Sequence, residues 1–248
     1  MNETVDELQE RATSTTYDVV VANARVVTPT ETIRGSVALD DGVVVAVESS
    51  EMDVDADTYV DADGRVLMPG IVDLHGDDIE KHLHPRSNAA VEPPMALASA
   101  DRANVSSGIT TKFHAIAFEE ATEKNRSPEL AMSLVDSIRL NDSLIVDHRI
   151  HARCEITDES CVDAVEKVLD GDAASLVSVM SHIPGKGQFG DIERFRSYYE
   201  NDASLSVEEA EELIEERTSL SEETLSARVD RIVSAAEESD VVVASHDD

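Results

Sequence analysis

The sequence predicts an α/β fold: a TIM-like (β/α)8 barrel represented by about five of its eight strands, behind a small N-terminal β-sandwich unit. Three observations carry this. After Asp63-Gly64, strand-like apolar runs alternate with helical ones; before it, Val-rich runs show no helical period; and the strand-like runs end on acidic or imidazole side chains.

Residues 1–17 are polar and acidic and read as a disordered leader, with residues 18–64 as the β unit and 65–248 as the barrel. In the β unit, Val19–Val21, Val26-Val27, Val37–Leu39 and Val43–Val47 are divided by the turn signals Thr28-Pro29-Thr30 and Asp41-Gly42. The barrel strands are expected at Ile71–Asp77, Ile109–Ala117, Ile145–Ile156, Ser175–His182 and Val241–His246. One helix starts at Ser127-Pro128-Glu129, which supplies an N-cap, an N1 proline and a first-turn acid. A second runs from Asp158 to a stop at Gly171. A third has Ser219 and Glu222 as its capping box. The acidic run Glu208–Glu216 reads as the solvated face of a further helix. No GxGxxG follows the first strand, which argues against a dinucleotide-binding sheet.

Composition narrows the function classes. Lys and Arg number 20 against 53 Asp and Glu, a formal net charge of −33. A surface this acidic repels nucleic acid and anionic bilayers, so neither is an expected partner. With 41% hydrophobic residues the chain is expected to fold despite its charge. Such an acidic balance suits a halophilic protein, soluble in concentrated salt where self-repulsion is screened; an ordinary acidic protein is the alternative. No run approaches a membrane span, and Met1–Thr16 lacks the apolar core of a secretory signal. Two cysteines, Cys154 and Cys161, fit neither a disulfide framework nor a CxxC metal site, so the reducing cytoplasm is expected.

Residues two apart on a strand share a face. Asp73, His75 and Asp77 therefore point one way, and Arg149, His151, Arg153 and Glu155 share the polar face of a strand whose other face is Ile150, Ala152, Cys154 and Ile156. A polar interior face of two Arg, a His and a Glu is costly unless it binds ions or anions. His75, Asp77, Glu155, His182 and His246 end four different strands and make a donor set for Zn²⁺, Mn²⁺ or Fe²⁺.

Met68-Pro69-Gly70-Ile71-Val72-Asp73-Leu74-His75 resembles the opening motif of the amidohydrolase superfamily, which also carries a small N-terminal β unit. The continuation from His75 to Arg86 is similar to the phosphonate-metabolism amidohydrolases of the carbon–phosphorus lyase pathway, as are His148–Glu155, Ser178–Gly185 and Ala244–Asp248. The resemblance implies a metal-dependent hydrolase that cleaves a phosphorylated ribose phosphonate, a 5-triphosphate, to the 5-phosphate and pyrophosphate. It further implies that His75, Asp77, Glu155, His182 and His246 hold one or two divalent metal ions (Zn, Mn or Fe) that activate water, with Glu155 and Asp247 as catalytic groups. Lys81, Arg86, Arg149, Arg153 and Lys186 lie beside these motifs and are the candidate phosphate clamps. Lys112 and His114 depart from the family pattern of an apolar pair and Asp. So does the strand count: superfamily barrels have eight strands and an Asp ending the last, which reads here as C-terminal truncation. Two alternatives stand beside the main reading. One is a dihydroorotase- or deaminase-like enzyme acting on a cyclic amide or amine; the other is an inactive metal-binding fragment. Exposed sheet edges would then call for a homo-oligomer or some other cover.

Overall fold

The computed structural model describes residues 16–245, except 53, 87–88, 122–123, 142, 202–204 and the side chain of Gln188. Nearly all of the expected leader, and His246, Asp247 and Asp248, lie outside the described residues. The chain divides into two units between Pro69 and Gly70.

The first unit is one five-stranded sheet. Its strands are β1 (Tyr17–Val27), β2 (Thr32–Asp40), β3 (Val43–Glu48), β4 (Ala56–Asp61) and β5 (Val66–Leu67). β1 to β3 form an antiparallel meander, while β4 and β5 both pair parallel with β1. Val19–Val21 and Val26-Val27, expected as separate strands, are one strand with a register shift between Val21 and Ala24, where Asn23 takes a positive φ of 52°. Asp41 and Gly42, both at positive φ, close the β2–β3 hairpin as expected for a two-residue turn. Val20, Ala22 and Ala38 form one small buried cluster and Ala24, Val26 and Val37 another.

The second unit is a curled half-barrel of five parallel strands. β6 (Ile71–Gly76), β7 (Ile109–Phe118), β8 (Asp147–Glu155), β9 (Leu176–Met180) and β10 (Val242–Ser245) lie side by side in chain order. Between them run α1 (Ile79–Leu83), α2 (Pro93–Ser106), α3 (Pro128–Arg139), α4 (Glu159–Asp170), α5 (Ile192–Asn201), α6 (Val207–Ser219) and α7 (Glu222–Glu238). Ser127 caps α3 by accepting from Leu130 N at 3.2 Å, and Asp158 caps α4 by accepting from Ser160 N at 2.8 Å. The cap expected at Ser219 sits at Ser221 instead, which accepts from Thr224 N, because Ser219 is spent closing α6. The reciprocal capping box belongs to Ser206 and Glu209 at the start of that acidic helix.

The apolar side of β8 behaves as its alternation predicts: Ile150, Ala152 and Cys154 join Leu134, Val135, Val165 and Leu169 in the main core. A second cluster of Phe189, Phe195, Tyr199, Ala210 and Ile214 fills the space between the Gly187–Phe189 turn, α5 and α6. Among the described residues no helix is long and apolar enough to cross a membrane.

Candidate metal and phosphate site

Parallel strands in chain order bring their C-terminal ends to one edge, and the polar side chains collect there in two groups. The first surrounds the end of β6. Asp73 Oδ1 accepts the His75 main-chain N–H at 3.1 Å, and His75 Nε2 lies 3.2 Å from Asp77 Oδ2. Arg153 Nη1 donates to Asp77 Oδ1 at 3.0 Å, while its Nε is buried without a partner among the described residues. The His151 ring stands edge-on to His75 with centroids 5.1 Å apart, and its Nε2 is 2.9 Å from Ser178 Oγ. Burial, aided by His75 and Arg153, lowers the His151 pKa to about 4, so this imidazole is neutral at pH 7.

Lys112 braces that group from β7. Its Nζ sits 2.7 Å from Asp73 Oδ2 and 3.0 Å from Asp78 Oδ1, on either side of His75 and Asp77 in the chain. Burial opposes ionisation of both acids, yet the Lys112 ammonium holds each carboxyl below its ordinary value. The side chain crosses Gly76 so closely that a Cβ there would lie 1.9 Å from Lys112 Cε, so a side chain at this position would displace the lysine from its place.

The second group is built on two buried carboxylates with the partly buried His182 beside them. Glu155 ends β8, and its Oε1 accepts from Thr157 Oγ1 at 2.7 Å, Thr157 N at 3.2 Å and His182 N at 3.3 Å. Its Oε2 meets His182 Nδ1. Burial raises the Glu155 pKa less than these donors, His182 foremost, depress it, so the group is a carboxylate. An ionised carboxylate only accepts, so the proton on that contact belongs to Nδ1. Glu119, directly after β7, completes the group: one ligand atom each from Glu119, Glu155 and His182 lie within 4.8 Å of one another. Lys124 Nζ and Arg126 Nη1 each donate to Glu119 at 2.8 Å, and Arg126 forks onto Glu80 at 2.8 Å twice. Against the cost of burial these cations hold the Glu119 pKa down to about 2.

The remaining sequence-predicted residues scatter. Lys81 and Arg86 are exposed beyond β6. Lys186 pairs with Glu222 at 3.4 Å on the surface. Arg149 donates to Asp147 at 2.8 Å and lies over the Phe113 ring, near the start of β8 and about 20 Å along the strand from Glu155. His246 and Asp247 lie outside the described residues. Sequence reasoning missed Glu119, Lys124, Arg126 and Arg217. Glu119 had a usable signal, an acid immediately after an apolar strand; the others reach the site from loops and a distant helix.

The donor set suits a divalent cation. Imidazole nitrogen and carboxylate oxygen from His75, Asp77, Glu155 and His182 are the ligand types Zn²⁺, Mn²⁺ and Fe²⁺ take. Glu119 stands beside Glu155 and His182 as a further carboxylate, and like Glu155 it has both oxygens already engaged, in its case by cations.

No family model matches the sequence. The chain is 28% identical over 233 residues to the α-D-ribose 1-methylphosphonate 5-triphosphate diphosphatase of Escherichia coli (strain K12), covering 93% of this chain and 61% of that protein. An L-hydantoinase of Paenarthrobacter aurescens is 36% identical over 70 residues, 28% of this chain and 15% of the relative. Among solved structures, a D-hydantoinase superposes with a TM-score of 0.51 at 16% identity, over 92% of this chain and 51% of that one. That likeness shows the fold. The chain thus spans between half and two thirds of the E. coli relative and of the hydantoinase.

Proposed function

We propose that this chain belongs to an amidohydrolase-superfamily metal hydrolase that cleaves a phosphoanhydride in a phosphorylated ribose phosphonate. The observation that carries it is the pair of groups at one edge of the sheet: His75 and Asp77 with Arg153 at the end of β6, and Glu155 with His182 at the ends of β8 and β9. The 28% identity across 93% of the chain to a ribose-triphosphate diphosphatase supports the substrate.

His75, Asp77, Glu155 and His182 would hold the metal, together with His246. The chemistry such an ion would supply is Lewis acidity, which would make a water nucleophilic near neutral pH. The protein's own groups do the rest. Glu155 fixes the His182 tautomer, so that Nε2 stays a lone-pair donor. Arg153 spends Nη1 on Asp77, and its other Nη group would bind phosphate oxygens. Hydrolysis adds water across the α–β phosphoanhydride, releasing pyrophosphate and leaving the 5-phosphate on ribose.

The test combines metal analysis with pyrophosphate release from α-D-ribose 1-methylphosphonate 5-triphosphate. The expected result is bound Zn, Mn or Fe, turnover dependent on it, and loss of both in Glu155→Gln. A metal-loaded chain that opens hydantoin or dihydroorotate rings and leaves the triphosphate intact overturns the substrate reading. A folded chain that takes up no metal overturns the whole of it.

A further inference from the structure

His182 is gripped on both sides of its peptide. Its N–H and Nδ1 are held by Glu155, and its ring stands edge-on to Phe189 with centroids 5.9 Å apart. Its carbonyl accepts a hydrogen bond from Arg217 Nη1 at 2.9 Å, reaching in from α6, 35 residues further along the chain.

Arg217 is an expensive residue in this place. It is only 6% exposed, and the same Nη1 donates to Tyr199 Oη at 3.1 Å. The guanidinium lies over the rings of Phe195 and Tyr199, 5.8 and 5.7 Å from their centroids. Its direct acceptors are a carbonyl and a phenol, and it forms no ion pair among the described residues. A buried cation without a carboxylate in contact is costly, and a neutral side chain would brace α6 against α5 at less expense. What the cation adds is a charge-assisted hydrogen bond to one main-chain oxygen, that of His182, with the negative charges of Glu155 and Glu119 near enough to keep it ionised.

We propose that Arg217 is a positioning residue for His182: it pins the carbonyl while Glu155 pins the N–H and Nδ1, so that Nε2 alone is offered to a ligand. Tyr199 holds Arg217 in turn. The inference rests on reading His182 as a ligand residue, and it assigns the α5–α6 pair, remote from the strand ends in sequence, a part in building the site.

The experiment uses the full chain and the variants Arg217→Met, Arg217→Lys and Tyr199→Phe, each first shown to be folded by circular dichroism. Two quantities are read: Zn²⁺ affinity by titration calorimetry, and the His182 tautomer by ¹⁵N NMR of the metal-free protein. Arg217→Met is expected to weaken Zn²⁺ binding about 10- to 100-fold, and to replace the single Nδ1–H tautomer with a mixture. Arg217→Lys should recover part of both, and Tyr199→Phe should fall between Met and wild type. Unchanged affinity and tautomer in folded Arg217→Met, with only a lower melting temperature, would make Arg217 a brace and overturn the proposal. If the Met variant does not fold, the Lys and Phe variants decide by the same two readouts. A wild type that binds no Zn²⁺ overturns the functional reading, while the metal-free tautomer still decides the role of Arg217.

Discussion

Asp101→Ala should cost far more than a change in a helix usually does. Asp101 sits on α2 with 2% of its side chain exposed. Its Oδ1 accepts from Ile145 N at 3.0 Å, Val146 N at 2.9 Å and His148 Nε2 at 3.1 Å, so one carboxylate oxygen anchors the start of β8. Alanine leaves the buried Val146 N–H and His148 Nε2 unpaired, at about 1–3 kcal/mol each, while the Ile145 N–H, on an exposed residue, can turn to water. The sum is about 2–6 kcal/mol, or a fall in melting temperature of about 4–24 °C for a unit of this size. Burial pushes the Asp101 pKa up, but the Val146 and His148 hydrogen bonds outweigh it and the value is lowered. A lowered carboxyl pKa means a contribution fully present above the unfolded value near pH 4 and lost as pH falls through the folded one. Urea denaturation followed by the helical circular dichroism signal reports this unit, because every described helix lies in it. The gap between wild type and Asp101→Ala should be full at pH 7 and narrow in acid. A gap below about 1 kcal/mol at pH 7, or one that stays constant into acid, refutes the anchoring argument.

Gly76→Ala should lower both stability and metal uptake, since its Cβ would overlap Lys112 Cε at 1.9 Å; pairing it with Lys112→Ala should restore fold but not metal affinity, as read by melting and calorimetry. Arg153→Ala should raise KM for the triphosphate, while Arg149→Ala, which breaks a surface pair with Asp147, should change stability by about 0–1 kcal/mol and KM not at all. Cys154 and Cys161 are both fully buried, and burial pushes the Cys161 thiol up to about 12 and the Cys154 thiol higher still; a thiol reagent should therefore react with neither until urea unfolds the chain, and fast labelling of native protein would contradict this packing. Net charge of −33 predicts that melting temperature rises as salt goes from about 0.1 M to 1 M and the screening length falls from about 10 to 3 Å; a melting temperature that falls instead refutes the halophilic expectation.

How far the site was legible depends on which physical signal each residue obeys. Glu155 and His182 follow the strand-end rule, because a parallel sheet delivers the residue after each apolar run to one edge, and the alternation of Ile150, Ala152 and Cys154 against His151, Arg153 and Glu155 fixes which side chains face inward. Glu119 obeys the same rule and was missed only because its strand runs on to Phe118, past Ala117. Arg217 obeys no local rule at all. Its heptad-like neighbours on α6 read as a solvated acidic face, and the contact with His182 exists only once α5 and α6 fold back over the Gly187–Phe189 turn. The capping error has a similar origin: Ser219 and Ser221 are equally good caps in sequence, and only the end of α6 decides between them.

The distribution of cations bears on the conflict between an acidic protein and the polyanionic substrate proposed for it. A site lined by Asp73, Asp77, Asp78, Glu80, Glu119 and Glu155 would repel phosphate if those charges stood alone. They do not. Lys112 answers Asp73 and Asp78, Arg153 answers Asp77, and Lys124 with Arg126 answers Glu119 and Glu80. Three of these four cationic side chains are also mostly withdrawn from water, with 5 to 17% of each exposed, so salt screens their pairs far less than it screens the exterior. Concentrated salt would thus quiet the acidic surface while leaving the internal pairing intact, and a divalent ion bound by His75, Asp77, Glu155 and His182 would bring the local balance close to neutral. On this argument the acidity and the proposed substrate are compatible because they occupy different dielectric environments.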